Sequence, residues 1–159
     1  RYGGELQLKY RFTNWLSSEI LGEYLYARQL SGDKEGYTLP FSPPPSVLLN
    51  LTYEPSTGKK LIGTYFSVDY RLTASQNNIV PPEKETAGYG VVNLQAGTRI
   101  NLKNRSITVS AQVQNLLNTR YLNHTSFYRL IELPEAGRNI ILSVKIPFGL
   151  VTPTTTMHY

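Results

Sequence analysis

The sequence predicts an all-β protein, a transmembrane antiparallel up-and-down β-barrel, and three observations lead to this fold class. Runs of ten or more residues alternate between apolar and polar side chains, which is the period of a β-strand. The connections between these runs are short and long in strict alternation. Aromatic residues lie near the ends of the apolar faces, as they do in the girdles of outer-membrane barrels.

The alternation predicts seven strands, each with an apolar face toward lipid and a polar face toward the barrel lumen. These strands cover residues 2–12, 16–30, 46–54, 61–72, 91–102, 106–117 and 139–148. The lipid face is expected to carry Leu6, Phe66, Val109 and Leu142, together with Ile62. On the polar faces, charged residues are expected to point into the lumen, namely Glu5, Lys9, Arg11, Asp69, Arg71 and Arg99.

The connections predict which side of the membrane each strand end faces. Short turns are expected at residues 13–15, 55–58 and 103–105, and long loops at 31–45, 76–89 and 118–136. In outer-membrane barrels the short turns face the periplasm and the long loops face outward. This orientation predicts a lower aromatic girdle of Tyr10, Phe12, Trp15, Tyr53 and Phe148, and an upper one of Tyr2, Tyr26 and Tyr70, with Tyr89 just above it.

Composition leaves a soluble alternative open and argues against other classes of function. A mean hydropathy of −0.28 would also suit a soluble β-sandwich or lipocalin-like binding protein, although strands in soluble sheets average only about five or six residues.

The absence of cysteine excludes disulfides and thiolate chemistry. The basic residues behind the net charge of +5 are dispersed, which argues against nucleic acid. Because the two histidines do not complete a Ser-His-acid site, we expect no enzyme, no cofactor and no metal centre.

The predicted strands are too few to close a barrel. Bacterial barrels have an even number of strands, at least about eight, and an open apolar sheet would leave two unpaired edges. Residues 1–148 are therefore expected to be the C-terminal part of a larger transmembrane barrel. Residues 149–159, with Pro153 and four threonines, are expected to form a flexible tail.

The motifs of the chain follow one another in a characteristic order. In chain order the motif residues are Pro43, Pro44, Gly88, Tyr89, Val113, Asn115, Leu116, Asn118, Tyr121, Gly137, Arg138 and Phe148. We expect the two asparagines to satisfy backbone groups where the sixth strand ends, and Gly137 to allow a conformation that a side chain would block. In order and spacing, these motifs resemble the C-terminal end of TonB-dependent outer-membrane receptors, over residues 2–148.

The resemblance implies a plugged barrel of about 22 strands in the outer membrane of a Gram-negative bacterium. Such a receptor takes up a scarce nutrient actively, and a ferric siderophore or other metal chelate is the first expectation. A glycan transporter and a passive porin-type barrel are the alternatives. The implied partners are outer-membrane lipid and lipopolysaccharide, the remaining strands and the plug, and the TonB–ExbB–ExbD complex, which would act through the N-terminal region missing here.

The resemblance also directs attention to the predicted outer loops as the place where a nutrient chelate binds. Receptors of this family draw on aromatic and arginine side chains from these loops and from the upper lumen. The corresponding candidates are Tyr37, His124, Tyr128 and Arg129. For His124, the competing interpretation is a residue that packs within the loop.

Overall fold

A computed structural model describes residues 1–102 and 105–147. Within these ranges, seven strands form one antiparallel sheet in the order β1 to β7, so the all-β meander is confirmed and the sheet does not close into a barrel. Phe148, the tail 149–159 and the turn residues 103–104 lie outside the described residues. The strands are β1 (Tyr2–Thr13), β2 (Leu16–Tyr26), β3 (Ser46–Tyr53), β4 (Leu61–Thr73), β5 (Tyr89–Leu102), β6 (Arg105–Gln114) and β7 (Asn139–Lys145).

The connections between the described strands alternate as predicted. Residues 14–15 join β1 to β2, and residues 54–60 join β3 to β4. The long connections are loop 1 (residues 27–45), loop 2 (residues 74–88) and loop 3 (residues 115–138), which contains a 3₁₀ helix at Phe127–Ile131. All three long loops lie at the same end of the strands, because the strands are antiparallel and consecutive. No helix in the described parts of the chain is long and apolar enough to cross a membrane.

Strands β2 and β6 end three or more residues earlier than the sequence predicts, and the backbone of the following loop is the reason in both. After β2, the Gln29 amide donates to the Tyr37 carbonyl at 2.9 Å, so residues 27–30 belong to loop 1 rather than to the sheet. After β6, Asn115 has a φ of 48°, a left-handed conformation that ends the strand. Loops 1 and 3 therefore begin earlier in the chain than the alternation predicts.

The register confirms that the sheet has one apolar and one polar face. One cross-strand row joins Leu8, Ile20, Leu49 and Tyr70. The next row joins Lys9, Glu19, Asn50, Asp69 and Asn93. By this register the six charged residues predicted for the lumen share the polar face. Within the polar row, Lys9 Nζ lies 3.3 Å from Glu19 Oε1, and Asn50 Nδ2 donates to Asp69 Oδ1 at 2.6 Å.

A β-bulge in β4 corrects the predicted face of Ile62. Gly63 has a φ of 61°, and the register with β5 shifts between Ile62 and Tyr65. The additional residue reverses the alternation below this point, so Ile62 pairs with Arg99 on the polar face. Leu61, which pairs with Ile100, takes its place on the apolar face.

Aromatic side chains pack against one another on the apolar face at both ends of the sheet. At the end with the short turns, the Trp15 and Tyr53 rings are 5.7 Å apart and the Tyr10 and Phe12 rings are 4.9 Å apart. At the other end, Tyr2 stacks on Tyr26 at 4.8 Å. Tyr70 lies further along the same face, over Gly90. The role of these residues as a membrane girdle stays a prediction.

Tyr89 differs from the sequence-based expectation. It pairs with Thr73 and therefore lies on the polar face, not above the upper girdle. Continued back by two residues, the alternation of the run at 91–102 assigns Tyr89 to this face, because residues 89, 91 and 93 share one side of a strand. Its position matters for the site described next.

The buried residues of the described chain lie mostly in the loops rather than within the sheet. Large apolar side chains on the outer face are exposed, among them Leu6, Phe66 and Leu142. The most buried polar and charged residues are Ser42, Gln76, Thr86, Asn115, His124 and Arg129. The loops thus form a packed cap above an open, two-faced sheet.

Candidate functional site: a pocket at the top of the polar face

A cavity of about 520 Å³ lies where the polar face meets loops 1 and 3. The strands contribute Arg71, Tyr89 and Asn93 to its wall, and loop 3 contributes Tyr121 and Glu135. Pro43 and Pro44 of loop 1 also line it. The pocket is therefore assembled from strand ends and loops together.

Two stacked tyrosines next to an arginine dominate the chemistry of the pocket. The Tyr89 and Tyr121 rings are 4.0 Å apart and nearly parallel, at 27°. Burial raises the pKa of Tyr121, with smaller contributions from Tyr89 and Glu135, while Arg71 acts in the opposite direction. Tyr121 is therefore a neutral phenol at physiological pH. Within the described ranges the half-buried Arg71 guanidinium forms no ion pair, so its donors are available to a ligand in a cavity that Glu23 and Glu135 also line.

Asn115 holds the wall of the pocket at the end of β6. Its Nδ2 donates to the carbonyls of Thr119 at 2.9 Å and Ala136 at 3.2 Å, and its Oδ1 accepts from the Thr119 amide at 2.8 Å. The Asn115 amide in turn donates to Asn93 Oδ1 at 2.9 Å. One buried side chain thus joins both ends of loop 3, which agrees with the role predicted for it.

Asn118 and Gly137 form a second clamp between the same loop ends. Asn118 Oδ1 accepts from the Arg138 amide at 3.0 Å, and Arg138 Nε donates to the Leu116 carbonyl at 2.7 Å. A Cβ on Gly137 would lie 2.7 Å from Asn118 Oδ1. Glycine is needed here because of this close approach, whereas the sequence suggested a backbone conformation as the reason.

A buried ion-pair cluster of Glu83, His124 and Arg129, with Thr86, lies in the loop cap beside the pocket. Arg129 Nη2 donates to Glu83 Oε1 at 3.0 Å. His124 Nδ1 lies 2.8 Å from Thr86 Oγ1, and its Nε2 lies 3.8 Å from Glu83 Oε1. Burial lowers the pKa of His124, and the charge of Arg129 adds to this while Glu83 opposes it, so the imidazole is neutral at physiological pH.

The four residues predicted to contact substrate do not come together in one site. His124 and Arg129 are buried in the ion-pair cluster, whereas Tyr37 and Tyr128 are exposed on the loop surface. None of the four lines the 520 Å³ cavity. Their contact with substrate stays a prediction, and for His124 the structure shows the packed arrangement that was the competing interpretation.

Pocket residues that were not selected from the sequence include Glu23, Tyr89, Asn93, Glu135 and, as a candidate contact, Tyr121. Tyr121 belongs to the motif at the end of β6, and Arg71 was already expected in the upper part of the lumen. The sequence does not reveal the path of loop 3, which brings Tyr121 into contact with Tyr89. Among the described residues, no group of three or more His, Cys, Asp or Glu side chains could hold a metal ion.

Comparison with known proteins identifies the family. The profile described as "TonB dependent receptor-like, beta-barrel" matches residues 1–116. The chain belongs to the TonB-dependent receptor β-barrel family. No curated protein sequence matches the chain closely.

A solved structure similar to this chain supports the fold of the TonB-dependent receptor barrel. The copper transporter OprC matches with a TM-score of 0.73 and 25% sequence identity, over 89% of this chain. The chain spans only 22% of the length of that protein. The seven strands therefore correspond to part of a TonB-dependent receptor barrel, and both the family and this neighbour are transport proteins rather than enzymes.

Proposed function

We propose that this chain is part of a TonB-dependent outer-membrane receptor that takes up a ferric siderophore or another metal chelate. The observation that carries the proposal is the pocket at the top of the polar face, where an unpaired arginine adjoins two stacked tyrosines. Metal chelates presented for uptake commonly carry anionic oxygens around a planar or aromatic scaffold. Such a ligand matches a guanidinium, which binds oxyanions, beside aromatic faces, which stack on planar groups.

The proposed mechanism begins with capture of the chelate by the outer loops and the pocket. The plug, which lies outside this chain, would close the lumen below, and the TonB–ExbB–ExbD complex would act on the plug to open a path. Lumen charges without an ion-pair partner among the described residues, such as Arg11 and Arg99, are proposed to face the plug. The apolar face would contact outer-membrane lipid and lipopolysaccharide. Residues 1–148 would form the barrel part, and 149–159 the tail.

The copper transporter neighbour favours a metal-containing substrate over a glycan, which is the alternative within the family. A passive porin and a soluble binding protein are the alternatives outside this class.

The proposal is tested by measuring ligand binding with the full-length receptor in detergent, wild type against Arg71→Ala. Loss of one charge-assisted hydrogen bond corresponds to about ten- to hundredfold weaker binding of an anionic ferric chelate. Arg99→Ala is the matched control, since Arg99 lies on the same face but does not line the cavity. Binding of neutral oligosaccharides in place of every chelate would contradict the chelate proposal, as would equal affinities for wild type and Arg71→Ala.

A further inference from the structure

The loop cap contains buried charges that neither the pocket nor the membrane face uses. The side chains of Glu83, Arg129 and His124 are only 7%, 4% and 1% exposed. Burying charged groups is costly unless they are paired and hydrogen-bonded. Their arrangement therefore needs a structural reason.

Glu83 joins all three outer loops through one carboxylate. Its Oε1 accepts from the Phe41 amide of loop 1 at 2.9 Å and from Arg129 Nη2 of loop 3 at 3.0 Å. Its Oε2 accepts from the Val80 amide of its own loop 2 at 3.4 Å. The Phe41 donor lies 42 residues before Glu83 in the chain, and the Arg129 donor lies 46 residues after it.

Arg129 provides the complementary connections from loop 3. Its Nη1 donates to the Lys84 carbonyl of loop 2 at 3.1 Å, and its Nε donates to the His124 carbonyl within loop 3 at 3.0 Å. The guanidinium also lies 5.2 Å from the centre of the Phe41 ring of loop 1. Glu83 and Arg129 thus each contact loop 1, and the ion pair between them joins loop 2 to loop 3.

Loop 1 holds a conformation that depends on this pair. Phe41 has a φ of 54°, which is a left-handed conformation that bulky residues avoid. The Glu83 carboxylate fixes its amide and Arg129 covers its ring. A residue in such a conformation persists when its surroundings over-determine it. Here the surroundings are the ion pair and the Phe127 ring, whose centre lies 4.9 Å from that of Phe41.

We propose that the Glu83–Arg129 pair locks loops 1, 2 and 3 into one unit, which opens as a whole when the pair is broken. Loops 1 and 3 supply Pro43, Pro44, Tyr121 and Glu135 to the wall of the pocket. The unit would therefore control access to that pocket, a consequence that rests on the proposed function, while the coupling of the loops does not.

The test is hydrogen–deuterium exchange on the full-length receptor without ligand, comparing wild type, Glu83→Gln and Glu132→Gln. The first change leaves a buried arginine without its carboxylate. The second is the matched control, because the Lys84–Glu132 pair also joins loops 2 and 3, at 2.7 Å, but is 80% and 68% exposed. We expect Glu83→Gln to speed exchange by about tenfold or more in all three loops, and Glu132→Gln to leave it nearly unchanged.

Exchange that rises only in residues 74–88, or equally in both variants, would overturn the proposal. Protection of the strands reports whether the variant still folds. If Glu83→Gln also loses strand protection, Arg129→Lys serves instead, because it keeps the charge but cannot make the same set of hydrogen bonds. A loss of strand protection in that variant too would assign the pair to general stability and overturn the proposal. Because no ligand is added, a wrong substrate assignment cannot affect the result.

Discussion

At the scale of single residues, the asparagines and the glycine of loop 3 show what sequence motifs can and cannot reveal. The sequence correctly placed Asn115 and Asn118 at a strand end that needs backbone partners. It gave the wrong reason for Gly137, because the close approach of Asn118 Oδ1 depends on a contact across nineteen residues. Local patterns indicate capping chemistry, whereas steric requirements come from the tertiary structure.

His124 and Glu83 make the loop cap sensitive to acid. Burial alone would raise the pKa of Glu83. Hydrogen bonds from the Phe41 and Val80 amides, the charge of His124 once it is protonated, and the hydrogen bond from Arg129 outweigh burial, so the pKa is lowered. The pKa of His124 is lowered as well. Since both pKa values are lower than in an open loop, the open loop binds more protons, and the packed cap loses stability as pH falls.

We therefore predict that loop exchange, corrected for its intrinsic pH dependence, accelerates in two steps on acidification. The first step lies below the usual histidine value of 6.5, and the second below the usual glutamate value of 4.5. The His124→Gln variant should lose the first step and keep the second. The other charges around the cluster are exposed and should contribute little to this pH dependence. They are Lys84, paired with Glu132, and Lys34, which donates to the Pro81 carbonyl. Exchange that slows on acidification would contradict this assignment.

At the scale of elements, five of the seven strands were predictable because each has a regular two-residue alternation over much of its length, while β2 and β3 were predicted from less regular runs. The exception is the lower end of β4, where the bulge at Gly63 reverses the faces without leaving a clear signal in the pattern. The pocket was only partly predictable for a related reason. Arg71 follows from the alternation, but Tyr89 and Tyr121 meet through a loop path that has no period.

Spin labels at neighbouring positions 61 and 62 test the bulge directly. We expect the label at position 61 to be accessible to a lipid-soluble relaxation agent, and the label at position 62 to be accessible to a water-soluble one. Labels at Leu6, Phe66, Val109 and Leu142 serve as references for the apolar face. The opposite pattern at 61 and 62 would restore unbroken alternation and exclude the bulge.

At the scale of the whole molecule, the described sheet is open, with β1 and β7 at its edges. An apolar outer face, a polar inner face and a packed loop cap make physical sense only when further strands complete the wall and lipid covers its outside. The family match over residues 1–116 accounts for this incompleteness, because the chain corresponds to part of a receptor barrel. Substrate choice is the least predictable property, since the pocket combines strand ends with loops whose path has no period.

The central claim, that this chain forms part of an energised chelate receptor, is tested most directly by uptake of a radiolabelled ferric chelate into cells expressing the full-length receptor. The account predicts accumulation that is lost in cells lacking TonB and strongly reduced by Arg71→Ala, while Arg99→Ala behaves more like the wild type. Accumulation that persists without TonB would indicate a passive barrel and contradict the account.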